Sequence, residues 1–583
     1  MATAKELRVQ KVRNALDVSY SYCEPYMRDA KRLLKAYFNE IDEDEWQTLS
    51  ECRIPLEYSQ VDTLLSTIMD YVFHGGKKVF KLIPEDALDD DTVQKLERFL
   101  DFKLKQQVDF KNKIQTIIRS ALTVPCGYGL VERVQITPPV SESLAGLTGG
   151  GQLVSEDIIQ AGTPVDTANF RYIDFFSVFP APFGATPEDV DYVIIVDFLD
   201  EFTVESGIKE EILKGDMKTI KDKSHIMASY MDGAMAYAKY ASDPQNNTLR
   251  GIDQNADGFA DIPRRIPVVK YYGKDEIIWL VEDEEIYYHK RGKEILTNPL
   301  VKISAIPVND MWFSPSPLHY TSDLCDLINI FVNSIIDTIS YFLSPPIVLN
   351  RQLIPYRDEV DRRPNGTIET TGNPSQAVSF LNPPPLPSGL MSLQNDFRGL
   401  LDSTSGLPEV LKGQGGAGIV RGGSGALQSL LQTAGARSTM MAENIINSGV
   451  KPAIQKIWYL LQNLPETSET VTFYDEDNQF QQEQVSNSEI RHVMRVDIIS
   501  GKQMMNKFAD VQMRLQAFPV LVQAGVPVDK AVEWMLPDED IRELFGQGGV
   551  QPPMGVEGIA GQGQGQQGGQ GALPNQLTAT GGV

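Results

Sequence analysis

Apolar residues recur at mostly helical spacing over residues 5–50, where Val9, Val12, Leu16, Leu33, Leu34 and Tyr37 share a face, and this predicts an amphipathic helix. A second helix is predicted over 58–74, closed by the C-capping pair Gly75 and Gly76. A short strand, VFKLIPED, then leads into a helix through Leu104, and a further helix over 108–122 ends before Pro125. From Gly127 to about Ile306 the pattern becomes that of strands. YGLVERVQI, FRYIDFFSVFPAPF, VDYVIIVDFL, IPVVKYYG, IIWLVEDEEIYYHKR and VKISAIPV alternate or run apolar between turn residues. A helical insert over Glu201–Leu213 and part of 224–240 interrupts them, and the Gly/Ser-rich stretch 138–157 reads as a flexible loop. The pattern predicts an α+β fold, a helical N-terminal layer on a mostly antiparallel sheet.

Beyond the strands, Leu318–Leu343 reads as a long amphipathic helix running into Ser344-Pro345-Pro346, with Thr321 or Ser322 able to cap its start. Leu324, Leu327, Ile328, Phe331, Ile335, Ile339 and Phe342 fall on one face; Asp326, Asn329, Asn333, Asp337 and Ser340 fall on the other. Residues 345–388 form an elbow with a short strand, PIVLN, a turn at Asn365-Gly366, the β-prone TIETT and a proline wall at 383–387. A short helix over 390–403 returns. The Gly-rich run GQGGAGIVRGGSG fills 413–425, and a helical pattern continues from Ala426 to about Leu461, kinked or broken at Gly449 and Pro452. Strands return over 469–499 and helices over Lys502–Val522 and Asp529–Leu544. From about Gln547 the Gly/Gln-rich chain cannot form a core.

At 583 residues the chain exceeds the roughly 250–300 over which a single core grows, so more than one domain is expected. The polar groups Asn329, Asn333, Asp337 and Ser340 within its longest apolar stretch would be costly in lipid, so no transmembrane span is expected, and the N-terminus has no apolar signal core. Its four cysteines (Cys23, Cys52, Cys126, Cys325) form no CxxC pair and read as free thiols, and its five histidines are scattered. A net charge of −25 repels a phosphate backbone. That argues against a sequence-reading DNA binder but not against a channel through which DNA slides.

Asp253-Gln-Asn255-Ala-Asp257-Gly258-Phe-Ala-Asp261 places oxygen ligands at positions 1, 3, 5 and 9 around a tight turn, as a calcium loop requires. Arg264 stands where an EF-hand needs glutamate, so the nine-residue form closed by Asp261 remains, resembling the calcium loops of integrin-type propeller repeats; an Asx-rich turn would carry the same residues. Gly413-x-Gly415-x-x-Gly418 follows no strand and does not read as a dinucleotide site, and no GxxxxGK[ST] motif is present.

The order of several segments resembles the portal proteins of tailed bacteriophages, of podovirus type. RIPLEYSQVDTLLSTIMDYVFHGGKKVFKLIPED resembles their opening wing helix and strand, with Phe80, Leu82 and Pro84 in place. FRYIDFFSVFPAP supplies the wing-strand ending at Asp174, Phe179 and Pro180. AIPVNDMWFSPSPLHYTSDLCDLINIFVNSIIDTI resembles the approach to the stem, and DSTSGLPEVLKGQGG with ALQSLLQTAGARSTMMAENI the tunnel loop and long wing helix. The succession, across roughly residues 50–520, carries the likeness.

The resemblance implies a portal fold with a wing at 1–310, a descending stem helix at 311–344 and a clip at 345–388. An ascending stem helix follows at 389–404, then a tunnel loop at 405–425, a long wing helix at 426–462, wing strands at 463–501, a short helical crown at 502–546 and a tail. It implies a non-enzymatic ring, usually of about twelve copies, at one capsid vertex of the virion, assembled in the host cytoplasm among capsid and scaffold proteins. Double-stranded DNA passes non-specifically during packaging and ejection, and terminase and later head–tail adaptors dock at the clip. Lys412, Gly415, Gly416, Gly418, Arg421, Gly422 and Gly423 become the loop facing DNA; Arg351, Arg357, Asp358, Glu359, Asp361, Arg362 and Arg363 become the partner-binding clip. No cofactor is required; Asp253, Asn255, Asp257 and Asp261 would hold a structural calcium. The alternative is a calcium-dependent binding or adhesion protein built on that loop.

Overall fold

The structure is a computed structural model that describes residues 3–498 apart from 41–48, 74–78, 86–88, 137–138, 148–152, 162–164, 224–264, 292–297, 344–346, 351, 354–372, 374–375, 377, 381–389, 406–435, 465–468, 475–479 and 493. Helix α1 (Ala4–Tyr37) opens on a capping box: Thr3 accepts from the Glu6 amide while the Glu6 carboxylate accepts from Thr3. The expected helix over 5–50 is shorter, because Asn39 turns left-handed at φ 60° just past its end. Helix α2 (Leu56–Val72), strand β1 (Phe80–Pro84), helix α3 (Asp90–Phe102) and helix α4 (Phe110–Thr123) follow where the apolar periodicity places them.

The strand region forms antiparallel sheets. β2 (Gly127–Ile136) pairs with β5 (Val165–Ile173), Tyr128 facing Ile173. Between them, β3 (Pro139–Leu147) and β4 (Leu153–Ala161) form a hairpin, which corrects the reading of 138–157 as a flexible loop. Backbone ladders need no apolar alternation, so a Gly/Ser-rich sequence can still pair. FRYIDFFSVFPAPF is two strands: a 3-10 turn at Phe175–Ser177 separates β5 from β6 (Val178–Pro180). β7 (Tyr192–Asp200) leads into α5 (Glu201–Lys209) and α6 (Met217–Lys223), then β8 (Arg265–Gly273). IIWLVEDEEIYYHKR folds into the hairpin β9 (Glu276–Val281) and β10 (Glu284–Lys290), with Glu282 at φ 56° in the turn. β11 (Leu300–Ile303) completes a three-stranded sheet β11-β2-β5 beside a five-stranded sheet β10-β9-β8-β7-β6.

Each face of the three-stranded sheet meets its own core. Tyr128, Leu130 and Ile173 turn toward α1 and the five-stranded sheet. Val131, Ala168 and Phe170 turn toward α2, α3 and α4. Gly129 has no room for a side chain, because a Cβ there would overlap the Phe170 ring and Ile117 of α4. Fully burying a side chain such as Ile117 stabilises by about 1.5–3 kcal/mol, so this helix–sheet contact is a principal source of stability.

After β11 come a 3-10 turn (Pro317–Tyr320), α7 (Ser322–Leu343), β12 (Ile347–Leu349), β13 (Val378–Phe380) and α8 (Leu390–Ser405). Thr321 stands at the start of α7, where its hydroxyl donates to the Leu318 carbonyl. α9 (Ala436–Ile445) and α10 (Lys451–Gln462) are joined by a π-turn at Ile446–Val450. The break expected at Gly449 and Pro452 is this wide turn. Pro452 has no N–H to give, and the Lys451 amide donates to the Ile446 carbonyl instead. β14 (Glu469–Tyr474) and β15 (Phe480–Val485) form a hairpin, α11 (Asn487–Ile490) carries a capping box, and β16 (Met494–Ile498) pairs antiparallel with β1. The architecture is mixed α+β with several antiparallel sheets.

Candidate functional site

The site begins with the spacing of Asn329, Asn333 and Asp337. Four residues of helix rise about 6 Å, and two residues of extended chain rise about 6.6 Å. A helix face bearing acceptors every fourth residue therefore matches the alternate residues of an extended segment. The chain at Leu49–Ile54 uses this match. Asn329 accepts from the Ile54 amide at 2.9 Å and donates to its carbonyl at 3.4 Å. Asn333 accepts from the Cys52 amide at 2.9 Å and donates to its carbonyl at 3.0 Å. Asp337 accepts from the Leu49 amide at 2.8 Å and from the Ser50 hydroxyl. The Ser50 hydrogen bond, the largest influence, holds the Asp337 carboxyl below its ordinary range. The partners run antiparallel, the helix number rising as the segment number falls.

Arg53 closes this ladder. Its guanidinium donates to the Glu40 carbonyl, to Glu57 at 3.1 Å and to Asp326 at 3.0 Å. Burial raises the Glu57 carboxyl, against the pull of Arg53. At the base of α7, Arg32 of α1 pairs with Asp323 at 2.7 Å, and His319 meets Asp29 at 2.9 Å.

The consequence inverts the usual arrangement of an amphipathic helix. The polar stripe of α7 is the covered one, with Asn329 and Asn333 fully buried. Much of the apolar side faces outward: Leu327, Ile330, Ile339 and Phe342 are 38–45% exposed and Leu343 is 81% exposed. Among the described residues the partners of that side lie on its lower half, where Cys325 and Ile328 pack with Leu401 of α8 and Phe331 meets the Phe397 ring, centroids 5.2 Å apart. These pairings make α7 and α8 antiparallel, and β12 joins β13 in a two-stranded ladder with Ile347 opposite Phe380. By length and composition α7 could also cross a membrane.

The residues singled out in the sequence lie outside the described residues: Lys412, Gly415, Gly416, Gly418, Arg421, Gly422 and Gly423 of the Gly-rich run, Arg351, Arg357, Asp358, Glu359, Asp361, Arg362 and Arg363 of the elbow, and Asp253, Asn255, Asp257 and Asp261 of the calcium-type loop. Among the described residues no cluster of three or more His, Cys, Asp or Glu is placed to hold a metal ion. Cys23, Cys126 and Cys325 are buried free thiols and Cys52 is exposed. Burial pushes the Cys23 thiol far up, as expected of an inert core cysteine. The amide ladder escaped the sequence reading, which saw only a polar face; the signal available was the i, i+4, i+8 spacing of Asn329, Asn333 and Asp337. Compared with known proteins, the chain matches no protein-family model and no curated relative.

Proposed function

We propose that the chain is the subunit of a portal ring, a conduit for double-stranded DNA at a capsid vertex rather than an enzyme. The observation that carries this reading is the exposure of apolar residues along the upper part of α7, Ile339, Phe342 and Leu343 among them, on a helix whose polar side is already occupied by its own chain. A helix so built has one remaining use for its outward face, contact with another surface. A closed ring supplies that surface from identical copies through heterologous contacts. The helix-out, strand-pair, helix-back arrangement of α7, β12, β13 and α8 suits a stem with a small clip at its end. The net charge of −25 suits a channel that must not grip its cargo. In this reading residues 345–388 dock terminase and then head–tail adaptors, and the Gly-rich run with Lys412 and Arg421 touches the passing DNA.

The test is particle mass and shape, by light scattering and negative-stain imaging, of wild type and of the variants Ile339→Glu and Phe342→Glu. Both residues are exposed in the single chain, so the variants keep the wild-type circular dichroism spectrum. The expected result is a ring with a central hole for wild type and loss of the ring in the variants. Rings that persist unchanged in both variants would overturn the reading, as would a wild type whose α7 inserts into liposomes instead of assembling.

A further inference from the structure

A cavity of about 180 Å³ lies where three segments meet: the turn at 185–188, β11 with the chain that follows it, and the π-turn between α9 and α10. Two lysines line it, and both are buried. Lys302 donates from Nζ to the Ala185 carbonyl at 2.7 Å and lies 5.0 Å from the centre of the Trp312 ring. Lys456 donates to the Leu300 carbonyl at 2.6 Å and pairs with Glu188 at 2.8 Å. Among the described residues no carboxylate forms an ion pair with Lys302; the neighbouring Asp189 is turned to the Thr186 amide and hydroxyl.

An ammonium has three N–H donors. Lys302 spends one on an oxygen and Lys456 spends two, so each keeps a donor. Ser314 also lines the cavity; it is only 2% exposed and its hydroxyl has no hydrogen-bond partner. The Ser448 hydroxyl accepts from the Ser304 amide at 3.3 Å, which leaves its own O–H to give. The cavity thus gathers two cations against one carboxylate, with several unspent donors, in a chain of strong net negative charge. A buried cation without a counter-ion is costly, and an orphaned buried hydroxyl adds to that cost. Burial accordingly pulls both lysines below their ordinary range. One ligand chemistry relieves all of these at once.

We propose that this cavity binds a tetrahedral oxyanion of the phosphate class, held by the Lys302 ammonium, the spare N–H of Lys456 and the hydroxyls of Ser314 and Ser448. The site does not depend on the ring reading. It sits beside the π-turn, a deformation frequent at functional sites, and on the chain leading from β11 to α7.

The test titrates inorganic phosphate into the full-length protein at constant ionic strength, by calorimetry and by thermal melting, with chloride as the control. Wild type binds phosphate saturably at one site and melts at a higher temperature with it. Lys302→Met, which keeps an unbranched apolar side chain over Trp312, weakens binding at least ten-fold. Ser314→Ala removes only an unpartnered hydroxyl, leaves the phosphate-free melting temperature unchanged or raised, and weakens binding several-fold. Should Lys302→Met fail to fold, Ser314→Ala decides alone. Adenosine monophosphate serves as the second probe: competition with inorganic phosphate identifies a phosphate monoester as the ligand, and failure to compete identifies the free ion, either being within the proposed class. Absence of saturable phosphate binding by wild type, equal stabilisation by chloride, or undiminished binding by folded Ser314→Ala overturns the proposal.

Discussion

Replacing Asn333 with alanine should free the segment Leu49–Ile54 from α7 without unfolding the rest. The substitution deletes two hydrogen bonds, the Cys52 amide to Oδ1 at 2.9 Å and Nδ2 to the Cys52 carbonyl at 3.0 Å. Each contributes about 0.5–1.5 kcal/mol net. Cys52 itself is exposed, so water can take up its freed backbone groups and the larger penalty for orphaned buried groups does not apply. The expected loss is therefore about 1–3 kcal/mol of local stability, a factor of roughly 5–150 in the open population. Amide hydrogen exchange reads this directly. Exchange at Cys52 and Ile54 should quicken by that factor while amides of β2 and β5 keep their protection. Asn333→Asp should act more strongly, since it keeps the acceptor, loses the donor and sets a like charge one turn from Asp337. Unchanged exchange at Cys52 in Asn333→Ala would refute the claim that the amide ladder holds the segment.

Further outcomes follow from other sites. Gly129→Ala drives a methyl into the Phe170 ring and Ile117 and should cost about 1–3 kcal/mol, seen as a lowered denaturation midpoint. Burial raises the Asp174 carboxyl to about 6 from an ordinary value near 3.8. A carboxyl raised on folding contributes stability that is present below about pH 4 and lost as pH rises through about 6. Asp174→Asn should remove that part of the pH dependence, by up to roughly 3 kcal/mol across the window, and wild-type-like titration of stability in the variant would count against it. For Asp197, burial pushes upward but Lys270 and Arg171 outweigh it and hold the carboxyl low. Its contribution is present above the unfolded value and lost as pH falls through the depressed one. Asp197→Asn should therefore destabilise most near neutrality, and equal destabilisation at neutral and strongly acidic pH would contradict the pairing.

Much of this fold is legible in the apolar pattern because burial follows it. Leu64, Leu65 and Ile68 in α2, and Ile114, Ile117 and Ile118 in α4, are core residues at helical spacing. What escaped depends on information that no local window holds. The β3–β4 hairpin is built from backbone hydrogen bonds, to which a Gly/Ser-rich composition is nearly blind. The π-turn at Ile446–Val450 reconciles Pro452 with a continuing helix, where a helix rule offers only a break. In the sequence Asn329 and Asn333 fall on a polar helix face with no partner in view; their partners stand some 280 positions earlier in the chain, and both side chains are completely buried. Lys302 and Lys456 carry no local sign of burial, since lysine ordinarily marks a surface. For the elbow, the Gly-rich run and the calcium-type loop, composition identifies segments without fixing where their side chains go.

The pairing of β1 with β16 sets a schedule for biosynthesis. Phe80 stands opposite Ile498 and Pro84 opposite Met494, and Trp458, Ile457 and Ile454 of α10 fill the same core as α2, α3 and α4. Helices made early thus wait for a strand and a helix made roughly 400 residues later. At 5–20 residues per second that interval is about 20–80 s. Throughout it the nascent chain carries an unpaired β1 edge and an open apolar layer, a form prone to association with its neighbours on the same polysome. Chaperone demand during synthesis, and the insolubility of fragments ending before Met494, are the expected costs of closing a core with a strand made so late.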